Sequence, residues 1–171
     1  IKNVNVWSRD IEKTHVYIEN MSKNFNLNFQ AFDNTDDLVK NADILITTTP
    51  SKKPLIKFSS LPKGIHITAM GSDAEEKNEL DPVIIEKCDL YVPDNQAQTT
   101  ILGELNHAIK KNLITKETLF YDLGKIISNP ELGRKSKKDI TVADLTGTGV
   151  QDTAIARYTY SIALNKNLGM N

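Results

Sequence analysis

Three short apolar runs constrain the fold of this chain more than any other feature. They are ADILIT at 42–47, IHITAM at 65–70 and ITVADL at 140–145. Runs of this length that are rich in Ile, Val and Thr are typical of buried β-strands. Turn residues follow each run at once, with Pro50, Gly71 and Gly147 among them. Amphipathic helical segments lie between the runs, which predicts a parallel α/β sheet with right-handed crossovers.

The remaining periodicity completes this pattern. Further strands are predicted over 4–7, 27–32 and 89–92. Helices are predicted over 11–21, 35–41, 83–87, 96–102, 104–111, 119–127 and 150–168. The fold class is therefore α/β, a Rossmann-like parallel sheet with flanking helices that lacks its first β-α unit and its glycine-rich turn. The chain of 171 residues begins with Ile1 inside strand-like sequence, and we expect one domain over 1–171 that is part of a longer protein.

Composition excludes several classes of function. Charged residues make up 25% of the chain and the formal net charge is −1, so neither nucleic acid nor an anionic membrane is expected as a partner. The apolar runs are too short to span a bilayer, and no secretory signal is present, so we expect a cytoplasmic protein. A single cysteine and three histidines on separate elements predict no disulfide and no metal site.

A candidate acid–base group follows the run at 65–70. Asp73 comes directly after Gly71 and Ser72, at the end of the predicted strand. Ligands of open α/β sheets bind beyond the carboxyl ends of the strands. Lys77 lies four residues further on, so a carboxylate and a cation could face one ligand. The alternative is that Asp73 caps a helix and Lys77 is a solvated surface charge, and the spacing alone leaves both interpretations open.

The first predicted strand ends in Ser8, Arg9 and Asp10. If this strand is the second of a dinucleotide-binding sheet, its tip reads the adenosine ribose: an acid binds the 2′-hydroxyl, and an Arg accommodates a 2′-phosphate. Arg9 favours NADP because its planar guanidinium pairs with phosphate. Asp10 is predicted to cap the following helix. The alternative for Arg9 is an ordinary surface charge.

Two further turns are candidate cofactor contacts. Thr47 and Thr48 end the run at 42–47, and small hydroxyl residues before a proline give an extended chain. Thr146 and Gly147 follow the last strand, where backbone N–H groups at a helix N-terminus could approach an anion or a ring. A plain tight turn explains the second feature nearly as well. Glu104, after Gly103, is predicted to be a helix cap or a contact between domains.

These stretches together resemble the ornithine cyclodeaminase/mu-crystallin family. The matching segments are VNVWSRD, ITTTPSKKPLI, GIHITAMGSDAEEKNELDP and ITVADLTGTGVQDTAIA. The last segment is most similar to the ectoine-utilisation branch. The resemblance implies a Rossmann domain that binds NAD or NADP, with NADP slightly favoured, and a separate upstream domain that supplies dimer contacts and most substrate-binding groups. It also implies a homodimer.

The resemblance assigns roles to individual residues. It implies that Asp73 is the catalytic acid–base group and that Lys77 lies near substrate and cofactor. It implies that the cofactor is contacted by Ser8, Arg9, Asp10, Thr47, Thr48, Met70, Gly71, Thr146 and Gly147. Two departures stand out: Glu75-Glu76 replaces a common Pro-Gly pair, and Leu145 replaces a common Ser.

The expected activity is NAD(P)-dependent hydride chemistry at an amino-acid or imine carbon. A cyclodeaminase, an amino-acid dehydrogenase and a ketimine reductase all remain open, because the substrate-binding groups lie upstream. The alternative is a mu-crystallin-like NADP-binding protein without significant turnover, which the two departures would permit. A domain that binds some other nucleotide is a third interpretation.

Overall fold

The computed structural model describes residues 1–169 and has an α/β architecture of parallel strands and flanking helices. Residues 170 and 171 of the predicted domain lie outside the described part. The strands are β1 (Asn3–Val6), β2 (Asn28–Ala31), β3 (Ile44–Thr47), β4 (His66–Ala69), β5 (Leu90–Pro93) and β6 (Thr141–Asp144). The helices are α1 (Ile11–Ser22), α2 (Thr35–Val39), α3 (Pro82–Lys87), α4 (Gln96–Thr99), α5 (Gly103–Lys110), α6 (Leu123–Ser128) and α7 (Gly149–Asn165). Each predicted strand is confirmed within a few residues.

The strands form two parallel sheets. One has the order β1-β2 and the other β3-β4-β6-β5. In a doubly wound sheet of order 3-2-1-4-5-6, the second and fourth strands lie on either side of the first and do not bond to each other. The separation of β1 from β3 is therefore the one expected where that first strand is not among residues 1–169.

The register of the larger sheet aligns the carboxyl ends of its strands. Thr47 pairs with Ala69, Ala69 with Asp144, and Asp144 with Pro93. Because all four strands run in the same direction, the loops that follow them leave from one edge of the sheet. That edge is where ligands of open α/β sheets bind.

The core lies between this sheet and the helices α3 and α5. Ile67 of β4, Ile84 of α3 and Leu105 of α5 are at most 1% exposed and belong to one apolar cluster. Leu80, in the loop between β4 and α3, is also fully buried there. The loop that carries the candidate acid–base group is consequently anchored in the core at its far end.

The predicted helix over 119–127 is wrong in its first turn. The structure begins α6 at Leu123, and Asp122 caps it by accepting the Lys125 N–H at 2.8 Å. Gln96 of α4 holds the preceding segment extended, since its side-chain amide bonds the Thr118 carbonyl and the Phe120 N–H. Tertiary hydrogen bonds therefore overrule the local helical pattern.

Helix α7 has no buried residue. Large apolar side chains along it, including Tyr158 and Tyr160, are about two-thirds exposed. The helix ends at Asn165, three residues before the predicted end. Within residues 1–169 no helix combines the length and the apolar character needed to cross a bilayer.

Candidate functional site

The loops after β3, β4 and β6 begin with aligned hydrogen bonds. The Met70 N–H donates to the Thr47 carbonyl at 2.9 Å, and the Leu145 N–H donates to the Ala69 carbonyl at 2.8 Å. These bonds extend the parallel ladder one residue beyond the strands. The structure thus brings three predicted contact pairs to one edge, namely Thr47 with Thr48, Met70 with Gly71, and Thr146 with Gly147.

Asp73 and Lys77 form an ion pair at this edge. The Lys77 ammonium donates a hydrogen bond to Asp73 Oδ1. This hydrogen bond lowers the pKa of the Asp73 carboxyl below its usual value, so the group is ionised at neutral pH. Asp73 caps no helix, and the cap of α3 is Asp81. The capping alternative for Asp73 is therefore wrong, and its side chain is about half exposed.

Helix α5 holds the loop that carries this pair. The His107 Nε2–H donates to the Lys77 carbonyl at 2.7 Å, and Asn106 donates to the Glu75 carbonyl at 3.2 Å. Ser72, which is buried, donates its hydroxyl to the same Lys77 carbonyl at 2.5 Å. These bonds fix the backbone on both sides of Asp73, so the carboxylate projects from a constrained turn.

The Glu75-Glu76 departure is accommodated by two ion pairs. The Glu75 carboxylate lies 2.9 Å from the Lys110 ammonium, and the Glu76 carboxylate lies 3.5 Å from that of Lys52. All four side chains are half or more exposed. The acidic pair therefore faces solvent and leaves the Asp73–Lys77 contact intact.

Glu104 does not cap α5, which has no side-chain cap, and its predicted contact with another domain stays a prediction. It is fully buried and accepts hydrogen bonds from the Asn78 side chain and from the N–H groups of Glu79 and Leu80. Burial, together with the nearby Asp144, raises the pKa of Glu104 to about 8. Glu104 thus fastens the end of the Asp73 loop to α5.

Glu79 and Asp144 are buried carboxylates that sequence reasoning missed. Glu79 accepts the Thr49 N–H at 2.5 Å and the Gly71 N–H at 2.9 Å. Asp144 accepts the Tyr91 hydroxyl and two N–H groups at the start of α5, and burial raises its pKa to about 7. The position of Asp144 inside the apolar run at 140–145 could have indicated that its carboxylate is buried. Glu79 lies in a charged stretch, where the sequence gives no indication of burial.

The turn of Thr146 and Gly147 is held from the β5 side. Asp94 accepts the Gly147 N–H at 2.9 Å and the Thr146 hydroxyl at 3.1 Å. Gln98 donates to the Thr146 hydroxyl and to the Gly147 carbonyl. The Gly147 N–H is therefore engaged by a carboxylate, which argues against an anion site built on this N–H.

The Ser8–Asp10 turn lies at the end of β1. Asp10 accepts the N–H groups of Glu12 and Lys13, which confirms the predicted cap of α1. The Ser8 hydroxyl bonds the Asp10 carbonyl at 2.7 Å. Arg9 is exposed, and its guanidinium has no hydrogen bond or ion pair within the described chain. No hydrogen bond among residues 1–169 joins this turn to the loops after β3, β4 and β6.

The edge has features that suit a bound planar group. The buried Thr47 hydroxyl has no hydrogen-bond partner within residues 1–169, while Thr48 and Met70 are exposed beside it. Two surface cavities of about 440 and 680 Å³ lie elsewhere, and neither is lined by Asp73 or Lys77. In the described part of the chain, no group of three or more His, Cys, Asp or Glu residues could hold a metal ion.

Comparison with known proteins gives a consistent picture. The ornithine cyclodeaminase/mu-crystallin family matches residues 1–167. An uncharacterized cyclodeaminase of Sinorhizobium fredii is 44% identical over 169 residues, which cover 99% of this chain and 51% of that protein. An archaeal alanine dehydrogenase dimer with bound NAD superposes with a TM-score of 0.91 at 32% identity, covering 99% of this chain and 52% of the other.

A third relative is the iminosuccinate reductase of Paracoccus denitrificans in complex with NAD⁺. It superposes with a TM-score of 0.88 at 29% identity, covering 99% of this chain and 51% of the reductase. The chain spans about half the length of the curated relatives it matches.

Proposed function

Because the chain belongs to the ornithine cyclodeaminase/mu-crystallin family, we propose that it is the NAD(P)-binding domain of an enzyme. The proposed reaction is hydride chemistry at an amino-acid or imine carbon. The proposed domain spans residues 1–171, and an upstream domain supplies dimer contacts and most substrate-binding groups. An alanine dehydrogenase and an iminosuccinate reductase, each with a bound nicotinamide dinucleotide, are structural relatives of similar fold.

The observation that carries this proposal is the Asp73–Lys77 pair at the carboxyl end of β4. Its carboxylate is ionised and about half exposed, so it can accept a proton from a bound molecule. The proton comes from the substrate nitrogen or from an attacking water. Lys77 keeps Asp73 ionised until substrate binds, and it presents a positive charge to a substrate carboxylate.

The proposed cofactor lies along the edge formed by the carboxyl ends of the strands, where the predicted contact residues meet. Thr47, Thr48, Met70 and Gly71 form one wall, with Thr146 and Gly147 beyond them. Ser8, Arg9 and Asp10 are assigned to the adenosine ribose. When bound, the nicotinamide accepts or donates the hydride. The unpaired guanidinium of Arg9 supports NADP, because a 2′-phosphate would complete its pairing.

The first test is a titration of the whole protein with NADPH and with NADH, followed by nicotinamide fluorescence. Tight NADPH binding with weak NADH binding is expected if Arg9 contacts a 2′-phosphate. A clear NADH preference would assign the ribose to Asp10 instead. Binding of neither dinucleotide would overturn the proposed function.

The second test asks whether Asp73 moves the proton. Asp73→Asn keeps the size of the side chain and removes its basic oxygen, so dinucleotide binding should persist while turnover of amino acids falls by at least about a hundredfold. Asp36→Asn is the matched control, because Asp36 forms a similarly exposed ion pair with Lys57 away from the site. Equal turnover by Asp73→Asn and Asp36→Asn would refute the role.

Product analysis separates the reaction classes. Ammonia release without net change of the nicotinamide identifies a cyclodeaminase, and stoichiometric reduction of NAD(P)⁺ identifies a dehydrogenase. Dinucleotide binding with no turnover of any amino acid or imine would favour the binding-protein alternative. Three expectations stay predictions: the homodimer, the cytoplasmic location and the ectoine branch. Light scattering of the whole protein tests the homodimer.

A further inference from the structure

Glu79 is a buried carboxylate that no role described so far requires. Its side chain is fully buried and accepts the Thr49 N–H at 2.5 Å and the Gly71 N–H at 2.9 Å. Thr49 lies two residues beyond β3, and Gly71 lies two residues beyond β4. One carboxylate therefore bridges the two loops that carry the proposed nicotinamide wall.

The two loops approach each other closely at this bridge. A Cβ atom on Gly71 would lie 2.2 Å from the Thr49 carbonyl oxygen and 2.5 Å from the Glu79 carboxyl. Only glycine fits there without displacing one of them. The Glu79 carboxylate and the absence of a side chain on Gly71 thus act at the same place to set the separation of the loops.

Glu79 is itself held in place through its backbone. Its N–H donates to Glu104 at 2.8 Å, and its carbonyl accepts the Leu55 and Ile56 N–H groups at 2.7 and 3.1 Å. No cation lies within salt-bridge distance of its carboxylate in the described chain. Burying a carboxylate without a cation costs free energy, and the two backbone N–H groups that Glu79 accepts offset part of that cost.

We propose that Glu79 is a positioning residue that sets the spacing of the Thr47–Thr49 and Met70–Gly71 loops for the nicotinamide. This inference rests on the proposed function. Glu79 does not touch the reacting atoms. It acts through the two N–H groups that it accepts, and through Gly71 it also fixes the turn that leads to Asp73.

The test is Glu79→Gln in the whole protein. The amide keeps the volume but turns one acceptor into a donor, which must then face the Thr49 or the Gly71 N–H. We expect faster hydrogen–deuterium exchange of these two amides in the absence of cofactor. We also expect NAD(P)H affinity to fall by about tenfold, the loss expected for one charge-assisted hydrogen bond.

The matched control is Ile84→Val. Ile84 is fully buried in α3 and contacts neither loop through a hydrogen bond, so this variant weakens the core without touching the bridge. Its dinucleotide affinity should stay within about twofold of the wild type. Equal loss of affinity in both variants, or unchanged affinity and amide exchange in Glu79→Gln, would overturn the positioning role.

Gly71→Ala is the second variant if Glu79→Gln fails to fold. Its Cβ would press against the Thr49 carbonyl and the Glu79 carboxyl, so it should also weaken dinucleotide binding. Unchanged binding would count against the inference. If the wild type binds no nicotinamide dinucleotide, the proposed function fails. If the wild type binds and these variants bind equally well, only the role of Glu79 fails.

Discussion

Gly103→Ala isolates the contribution of a single close approach to the stability of the site. Gly103 begins α5 and has a φ of +74°, a left-handed conformation that L-residues rarely adopt. An added Cβ would lie 2.8 Å from Thr146 Cγ2 and 2.9 Å from both carboxylate oxygens of Asp144. Because three donors hold Asp144 in place, the carboxylate cannot move aside without losing hydrogen bonds.

Gly147 provides the matched control for backbone strain. Its φ is +82°, but no atom lies within 4 Å of the position that a Cβ would take. Gly147→Ala should therefore cost only the left-handed conformation, about 1–2 kcal/mol. Gly103→Ala adds overpacking against Asp144, so it should cost about 2 kcal/mol more.

The assay is thermal unfolding of both variants without cofactor, followed by circular dichroism. For a domain of this size the extra cost should place the Tm of Gly103→Ala about 4–8 °C below that of Gly147→Ala. Equal Tm values would mean that Asp144 relaxes freely. That result would refute the claim that the hydrogen bonds of Asp144 hold its carboxylate in place at the start of α5.

Three further predictions concern ionisable residues of α5 and β6. Burial raises the pKa of Glu104 to about 8, so between about pH 4.5 and 8 the folded state binds more protons than the unfolded state. The free energy of unfolding should therefore fall as the pH rises from 5 to 8. Glu104→Gln should reduce this pH dependence, which urea unfolding across the same range measures. Asp144, raised to about 7, should preserve a smaller slope below that pH. Lys110→Ala removes only an exposed ion pair with Glu75 and should change the unfolding free energy by less than about 0.5 kcal/mol, whereas a loss above 1 kcal/mol would show that the pair holds the loop.

The strands of this fold could be predicted from the sequence because each is determined largely by the residues within its own run. The runs at 42–47, 65–70 and 140–145 are rich in β-branched residues, and each forms a strand within a residue or two of the expected bounds. The helix prediction for residues 119–122 is wrong for a reason that is not local. Its helical pattern competes with two hydrogen bonds from Gln96, which lies more than twenty residues earlier in the chain.

In the candidate site, too, local features could be predicted from the sequence and long-range contacts could not. The pairing of Asp73 with Lys77 could be expected, because residues four apart around a turn can meet. The burial of Glu79 and Glu104 could not, since a charged residue in a polar stretch is usually exposed. Whether such a carboxylate is buried depends on which backbone N–H groups the fold brings to it. For Glu79 one of them, the Thr49 N–H, comes from a segment thirty residues earlier in the chain.

The buried carboxylates also limit what this edge of the sheet can bind. Phosphate sites at strand ends use clusters of unengaged backbone N–H groups. Here Glu79 accepts the N–H groups of Thr49 and Gly71, and Asp94 accepts that of Gly147. These three backbone donors are thus directed into the protein, and the surface beside them carries the exposed side chains of Thr48 and Met70 and the Asp73–Lys77 ion pair. Such a surface suits a planar ring and an amino acid better than a pyrophosphate, which supports placing the nicotinamide end of the cofactor at this edge.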